Sequence, residues 1–499
     1  MSDEDRLSPE LKRVAVVVIL GAIMSILDTT IVNVALQSLA RDLDAPLSTI
    51  QWVATGYLLA LATVIPLTGW AAERFGPRRV WMTVVAAFVA TSALCGVAWS
   101  AESLIAFRVL QGLAGGMIMP IGMITLAQEA GPQRIGRVMS VVGVPMLLGP
   151  VLGPVIGGLI VTNASWRWIF LVNLPIGIVG LVLAHRLLPP ERAQGRFEGP
   201  GRLDWRGLLM LSPGLGLLVF GLSEVAAHGT VTLERLAPVI AGLALVAAFV
   251  VHAWRVPAPL VDVRLFAGRG FAAAGATVFL VGAALFGALL LMPLYFQIAR
   301  GQSPLEAGLL MAPQGLGAAA GMNRAGRLTD RIGGGPVVIG GLAMLMAGTL
   351  PFTQIGPHTP YWLLDAGLVV RGLGLGFTMM PAMAAAYATL ERSEVPRATP
   401  MLNVVQRVGG SLGTALLAVV LQNQLTSQLG ASASGPPAAG ARLPAQQVST
   451  AFAHTYWWAM AITAVAVVPA VVLARTQRAA RREAAAAGGA TRAPAPTVG

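Results

Sequence analysis

The sequence has few of the groups that build enzyme active sites or covalent cross-links. Its single cysteine, Cys95, excludes an intramolecular disulfide. The five histidines are scattered, and HExxH and CxxC motifs are absent. We therefore expect no enzyme, no metal site and no cofactor. Charged residues make up only 11% of the chain, which is too few for a soluble protein of this length.

The chain is rich in apolar residues. Apolar residues make up 56% of the 499 residues, and the mean hydropathy is +0.72. This composition predicts an all-α integral membrane protein. The first apolar run is too long for a signal-peptide core and is not followed by an obvious cleavage site, so we interpret it as a retained span.

Windows of about 20 apolar residues predict fourteen transmembrane helices. They lie near 14–38, 50–72, 80–98, 103–126, 136–161, 166–187, 207–227, 234–254, 270–296, 305–325, 336–355, 361–387, 401–424 and 454–475. The predicted organisation is a cytoplasmic N-terminus (1–13), a six-helix bundle (14–188), a cytoplasmic linker (189–206), a two-helix hairpin (207–254), a second six-helix bundle (255–475) and a disordered cytoplasmic tail (476–499).

The basic residues, nearly all Arg, collect in alternate loops. If both termini are cytoplasmic, inner segments hold 26 of the 34 Lys and Arg residues and outer segments hold five. The remaining three, Arg108, Arg371 and Arg407, lie within spans. This is the positive-inside pattern, so the high isoelectric point reflects topology and nucleic-acid binding is not expected.

An internal repeat supports two equivalent halves. GWAAERFGPRR (69–79) after span two is similar to GRLTDRIG (326–333) after span ten. RVLQGLAGGMIMP (108–120) in span four is similar to RGLGLGFTMMP (371–381) in span twelve. Both pairs are displaced by eight spans, which predicts a 6+2+6 arrangement with a substrate site between the halves.

Asp28 places a carboxylate in the middle of the first span. A charged carboxylate in hydrocarbon is costly, so Asp28 must face water, pair with a cation or hold a proton. Each option allows it to carry protons; the alternative is a structural Asp that tethers a neighbouring helix. Helix rise places Asp28 about 9 Å and Arg108 about 8 Å from the outer face, so the two can pair, with Gln111 one turn on. A static ion pair, or an Arg108 that reaches the headgroups, remains the alternative.

Two further patterns suggest a gate. In the loop after span two, Glu73 can pair with an Arg of a neighbouring span or cap a helix, while basic residues hold the loop at the cytoplasmic face. The alternative is an ordinary positive-inside loop. In span five, small residues every four positions allow close helix packing and prolines allow bending, as a hinge would need, although such spacing is also common packing. The candidate gate and hinge residues are Gly69, Glu73, Arg74, Gly76, Arg78, Gly149, Gly153, Pro154, Gly157, Asp330 and Arg331.

Together these motifs resemble the major facilitator superfamily, and within it the fourteen-span drug:proton antiporters of the EmrB/QacA type. LDTTIVNVAL (27–36), the 69–79 loop, RVLQGLAGG (108–116) and GPVLGPVIGG (149–158) carry the resemblance, together with WRWIFLVNLPIG (166–177), DWRG (204–207) and PLYFQIARGQSPLEAGLLMAP (293–313). The resemblance implies export of lipophilic compounds, often drugs or antibiotics, in exchange for protons across the bacterial inner membrane. It implies proton coupling at Asp28, with Arg108 and Gln111 as its polar partners. Glu73 where Asp is usual, and Asn323–Arg324 before AGRLTDR, depart from the pattern. The only acid of span ten, Glu306, lies near its outer end, which favours neutral or monovalent substrates.

Flexible and aromatic side chains with a few polar groups are candidates for the substrate cavity. They are Asn33, Trp52, Tyr57, Met117, Tyr295, Phe296, Gln297, Met311, Gln314, Met379, Asn403 and Gln406, with Gln51 and Met380 as further candidates. Core or lipid-facing packing is the alternative for each. The expected partners are lipophilic small molecules, protons and the lipid bilayer, with a monomer as the expected functional unit. Two other functions stay open on the same fold: a proton-coupled importer of a small metabolite, and a lipid flippase.

Overall fold

The computed structural model describes residues 8–130, 134–188, 202–391, 393–429 and 444–490, and within these residues it contains helices and no strand. The helices are α1 (Pro9–Asp42), α2 (Leu47–Val64), α3 (Leu67–Phe75), α4 (Pro77–Gly96), α5 (Ala101–Ala130), α6 (Ile135–Asn163), α7 (Trp168–Leu171), α8 (Asn173–Leu187), α9 (Trp205–His228), α10 (Leu233–Arg255), α11 (Arg269–Leu294), α12 (Pro304–Leu310), α13 (Ala312–Ile332), α14 (Gly334–Thr349), α15 (Tyr361–Gly376), α16 (Met379–Tyr387), α17 (Val395–Leu429) and α18 (Ala445–Ala490). The all-α prediction is confirmed.

Each of the fourteen predicted spans overlaps one or two of these helices along most of its length. Among the described residues, eleven helices are long and apolar enough to cross a membrane, and a twelfth span forms if α2 and α3, bent by 57°, are taken together. The helices at the tenth predicted span, α12–α13, are not among them. The protein is therefore a multi-pass membrane protein, while the count of fourteen stays a prediction.

The helices pack as two bundles with a hairpin between them. In the first half α1 packs on α6, α2 on α5, and α4 on α5 and α8; in the second half α11 packs on α17, α13 on α15, and α14 on α15 and α18. The α9–α10 hairpin contacts both halves, because α9 packs against α2 and against α17. Asp204 caps α9 and also accepts hydrogen bonds from His252 Nε2 at 2.9 Å and the Leu260 N–H at 3.2 Å, which fixes the base of the hairpin. Residues 189–201 of the predicted linker lie outside the described residues.

The repeat in the sequence appears in the backbone. Gly76 ends α3 with φ of 86°, and Gly333 ends α13 with φ of 94°. Side chains other than Gly rarely adopt this left-handed region. The two turns therefore reverse the chain in the same way in the two halves. We call the end of the molecule that carries these turns and the start of α1 the basic face.

The C-terminal tail differs from the prediction. Disorder is expected over 476–499, but α18 continues to Ala490, while 491–499 lie outside the described residues. Ala-rich sequence favours helix, and two side chains bind this extension to the basic face. Gln477 Oε1 accepts from the Gly335 N–H at 2.9 Å, and Arg481 Nη1 donates to the Arg331 carbonyl at 2.8 Å.

Candidate functional site

Two charged side chains, on α1 and α5, are almost completely buried. Asp28 is 0% and Arg108 1% exposed, and Arg108 Nη1 donates to Asp28 Oδ2 at 2.6 Å. Gln111 Nε2 donates to the other carboxylate oxygen at 3.0 Å. The structure thus brings together the three residues that matching depths in antiparallel helices predict. Their role in proton coupling stays a prediction.

Arg108 has partners that do not depend on the charge of Asp28. Its Nε donates to the Val53 carbonyl at 3.1 Å, and its Nη1 also donates to Gln111 Oε1 at 2.8 Å. Its guanidinium carbon lies 3.9 Å from the centre of the Tyr57 ring, within cation–π range. A proton on Asp28 would therefore not leave this cation without partners.

Two polar residues of the network were missed from the sequence. Asn173, at the start of α8, donates from Nδ2 to Asp28 Oδ1 at 2.9 Å and to Ser92 Oγ at 3.1 Å. Ser92 Oγ in turn donates to the Phe170 carbonyl at 2.9 Å. An amide inside the apolar run WRWIFLVNLPIG was the available signal. With Asn173, the carboxylate accepts three hydrogen bonds, from α5 and α8.

An ion pair joins the two halves at the basic face. Arg397 on α17 donates from Nε to Glu73 Oε1 at 2.9 Å and from Nη2 to Glu73 Oε2 at 3.4 Å. The predicted pairing of Glu73 with an Arg of a neighbouring helix is therefore present. Close packing accompanies it, since a Cβ on Gly69 would lie 2.5 Å from the Pro396 carbonyl oxygen.

The equivalent loop of the second half makes the equivalent contact. Asp330 Oδ1 accepts from the Gly136 N–H at the start of α6 at 3.0 Å, and Arg137 Nε lies 3.9 Å from Asp330 Oδ2. Burial raises the pKa of the Asp330 carboxyl, although the Gly136 N–H and Arg137 oppose this shift. With the Glu73–Arg397 pair, this contact forms two links between the halves at the basic face, which we call the gate.

The other predicted gate residues lie around these links. Arg78 Nη2 donates to the His185 carbonyl at 2.7 Å within the first half. Arg74 is exposed. Arg331 is exposed and contacts the tail helix through its carbonyl. The contacts of Arg78 and of the Arg331 carbonyl lie within their own halves and do not join the two.

The predicted hinge of span five packs against the helix that carries Asp28. A Cβ on Gly153 would collide with Thr30 Oγ1, and one on Gly157 would lie 2.8 Å from Ile31 Cγ1. The close approach predicted from the small-residue spacing thus occurs within the first half, two or three residues from Asp28. Gly149 and Pro154 lie within α6, but the surroundings of Gly149 and of the Pro154 side chain are not described.

Several predicted cavity residues are core residues. Tyr295 and Phe296 are 0% exposed, and Met311 is 7% exposed in the same apolar cluster of the second half. Tyr295 donates to the Gly356 carbonyl at 2.9 Å and packs edge-on against Phe452. These surroundings match the alternative of core packing for the three residues, while their role in a substrate cavity stays a prediction.

Other candidates have different surroundings from those predicted. The Tyr57 ring packs against the Arg108 guanidinium, and Met117 is buried in an apolar cluster with residues from both halves. Trp52 stacks on Phe220 of the hairpin, with 5.9 Å between the ring centres. Met379 is 5% exposed, and Gln406 Nε2 donates to its sulfur at 3.6 Å.

The remaining candidates are mostly polar, and their surroundings are more typical of a cavity than those of the buried aromatic candidates. Asn403 and Gln297 are half-buried, and Gln314 is buried with its Oε1 unpaired among the described residues. Met380 packs against Gly143 of α6, between the halves. The side chain of Asn33 lies outside the described residues, and Gln51 is exposed.

Known proteins with similar sequences are transporters of one superfamily. The chain matches the Major Facilitator Superfamily family model over residues 18–414. It is 42% identical to a multidrug resistance protein B homolog of Mycobacterium tuberculosis, covering 96% of this chain and 93% of that protein. It is 34% identical to a putative multidrug resistance protein MdtD of Serratia proteamaculans (84% and 83% covered) and to a probable actinorhodin transporter of Streptomyces coelicolor (87% and 76%).

Solved structures show the same fold at low sequence identity. The proton:xylose symporter XylE superposes with a TM-score of 0.61 at 15% identity, covering 92% of this chain and 95% of that one. The human organic anion transporter MFSD10 gives a TM-score of 0.58 at 18% identity, covering 92% and 100%.

Proposed function

Because the chain belongs to the major facilitator superfamily, we propose that it exports lipophilic drugs or antibiotics in exchange for protons. It is a transporter and not an enzyme. Relatives named as multidrug resistance proteins, and one named as a probable transporter of actinorhodin, support lipophilic substrates. The finer assignment to the fourteen-span EmrB/QacA type belongs to the same proposal.

The observation that carries proton coupling is the Asp28 network. The Asp28 carboxylate is 0% exposed and accepts hydrogen bonds from Arg108, Gln111 and Asn173. When Asp28 takes a proton, Arg108 keeps the Val53 carbonyl, Gln111 and the Tyr57 ring. Arg108 thus keeps neutral hydrogen-bonding and aromatic partners in both charge states, and it loses its counter-charge only while Asp28 carries the proton.

The gate supplies the alternating access. We assign the basic face to the cytoplasm by the positive-inside rule, so both termini are cytoplasmic and the membrane is the bacterial inner membrane. In this structure the two links hold the cytoplasmic side together. Substrate enters from the cytoplasm or inner leaflet when these links are broken and Asp28 is ionised. The halves then close the gate, and an outside proton on Asp28 favours release and reset.

Lipid vesicles containing the purified protein test this proposal. A pH gradient should drive accumulation of a lipophilic fluorescent dye, and adding dye should move protons the opposite way. Asp28→Asn should abolish both, whereas Asp365→Asn, a matched change of a half-buried acid on α15, should leave both intact. Normal dye and proton movement in Asp28→Asn would refute the assignment. Co-directional proton and substrate movement would indicate an importer, and transfer of a fluorescent lipid without dye movement a flippase.

A further inference from the structure

The two halves correspond at several positions, including the buried arginines. Glu73 and Asp330, Gly76 and Gly333, and Ser92 and Thr349 are each 257 residues apart. Arg371 opens the span-twelve motif as Arg108 opens that of span four. The second half therefore contains a counterpart of the Asp28 network.

That counterpart has the arginine but no carboxylate. Arg371 on α15 is 4% exposed, and its Nε and Nη1 have no hydrogen-bond partner among the described residues. Tyr456 lies beside it, with its hydroxyl donating to the Met292 sulfur at 3.6 Å. Near the depth of Asp28, the equivalent helix α11 carries Ala284 and Leu285, and Gly374 stands where the first half has Gln111. A guanidinium cannot lose its proton in a protein, so the charge stays.

A small cavity lies against this arginine. Besides Arg371, its walls are Ala284, Leu285, Leu345, Thr349, Leu375, Ala459 and Thr463, none of them acidic. It has room for about one water-sized occupant. Both threonine hydroxyls donate to carbonyls of their own helices, Thr349 to Leu345 and Thr463 to Ala459. Among the lining side chains, Arg371 therefore supplies the unpaired donors.

We propose that this cavity binds one small monovalent inorganic anion of the size of chloride. An uncompensated charge at this depth is strongly unfavourable, and a neutral water cannot compensate it. Sulfate, phosphate and organic carboxylates are too large for the space. The anion acts as the missing carboxylate and binds α11, α14, α15 and α18 together. The first half has an acid that can take a proton, whereas the second half is neutralised by an ion that does not titrate.

The unfolding temperature of the purified full-length protein tests binding without requiring transport. Chloride is exchanged for gluconate at constant ionic strength and pH. We expect the midpoint to rise with chloride concentration and to saturate, as it does for any ligand of the folded state. Bromide should replace chloride, and sulfate should not. Equal midpoints in chloride and gluconate would mean that the cavity holds only water, and would overturn the proposal.

Two variants locate the site. Ala284→Asp provides a covalent counter-charge at the cavity wall, so its midpoint in gluconate should be high and independent of chloride. Arg371→Met should also lose the chloride dependence, at a lower midpoint. The same change at the exposed Arg41 should retain it. Chloride dependence that persists in Ala284→Asp, or in Arg371→Met, would place the ion elsewhere. An anomalous bromide peak beside Arg371 would support the proposal independently of any variant, and a bromide peak elsewhere would contradict it.

Discussion

Replacing Asp28 by Asn should destabilise the fold by much more than one hydrogen bond, because it leaves Arg108 buried without a counter-charge. Asp28 is 0% and Arg108 1% exposed, so water does not screen the pair. Breaking a buried ion pair by removing one partner costs about 3–5 kcal/mol. With an unfolding entropy of roughly 2.1 cal/mol/K per residue, this lowers the thermal midpoint by about 3–5 °C.

A double-mutant cycle separates the missing charge from other effects of the substitution. Arg108→Gln leaves a carboxylate that can neutralise itself with a proton, so its stability should recover as the pH falls. The double variant Asp28→Asn with Arg108→Gln has no buried charge and should be more stable than Asp28→Asn alone, with a coupling energy above about 1.5 kcal/mol. Thermal unfolding in detergent measures all four proteins. If Asp28→Asn melts like the wild type, the pair is not a desolvated ion pair and the reasoning fails.

Three further outcomes are expected. Glu73→Gln should weaken the closed gate by about 1 kcal/mol, since the Glu73–Arg397 pair is partly exposed. The distance between spin labels placed across the basic face should then lengthen, and an unchanged distance would contradict the role of this pair in the gate. Burial raises the pKa of the Asp330 carboxyl in the closed gate, so gate closure should be favoured below that pKa and lost as the pH rises through it. In the same spin-label measurement, Asp330→Asn should remove the pH dependence of the distance. A pH dependence that persists in this variant would assign the titration to another group. Gly153→Ala should lower the free energy of unfolding by about 1–3 kcal/mol, because the added methyl overpacks against α1. A Cβ on Gly158 meets nothing within 4 Å, so Gly158→Ala should leave the stability unchanged. Equal melting temperatures of the two variants would refute the close packing.

The sequence was sufficient for features that depend on depth and spacing along a helix. Asp28 and Arg108 lie at matching depths in antiparallel spans, and the structure joins them at 2.6 Å. The repeated loops likewise lie at equivalent places, where Glu73 and Asp330 each contact the other half. Both results follow from helix rise and from the order of the spans.

Features that depend on which face of a helix meets a neighbour were not predictable. Tyr295 and Phe296 directly follow the uniformly apolar helix α11, so only the packed structure shows that they face the bundle core. Asn173 was missed because α8 reaches Asp28 from a distant part of the chain. The tail helix was missed because its Arg and Ala composition fits both disorder and helix, and the contacts of Gln477 and Arg481 with the basic face are tertiary.

The protonation of Asp28 during substrate exchange is the central claim, and infrared difference spectroscopy measures it directly. In purified protein at a pH where Asp28 is protonated without substrate, adding an exported compound should remove a protonated-carboxyl band and release a proton to the medium. The same signal should be absent in Asp28→Asn. An unchanged carboxyl band in the wild type, or an identical band change in Asp28→Asn, would contradict the account.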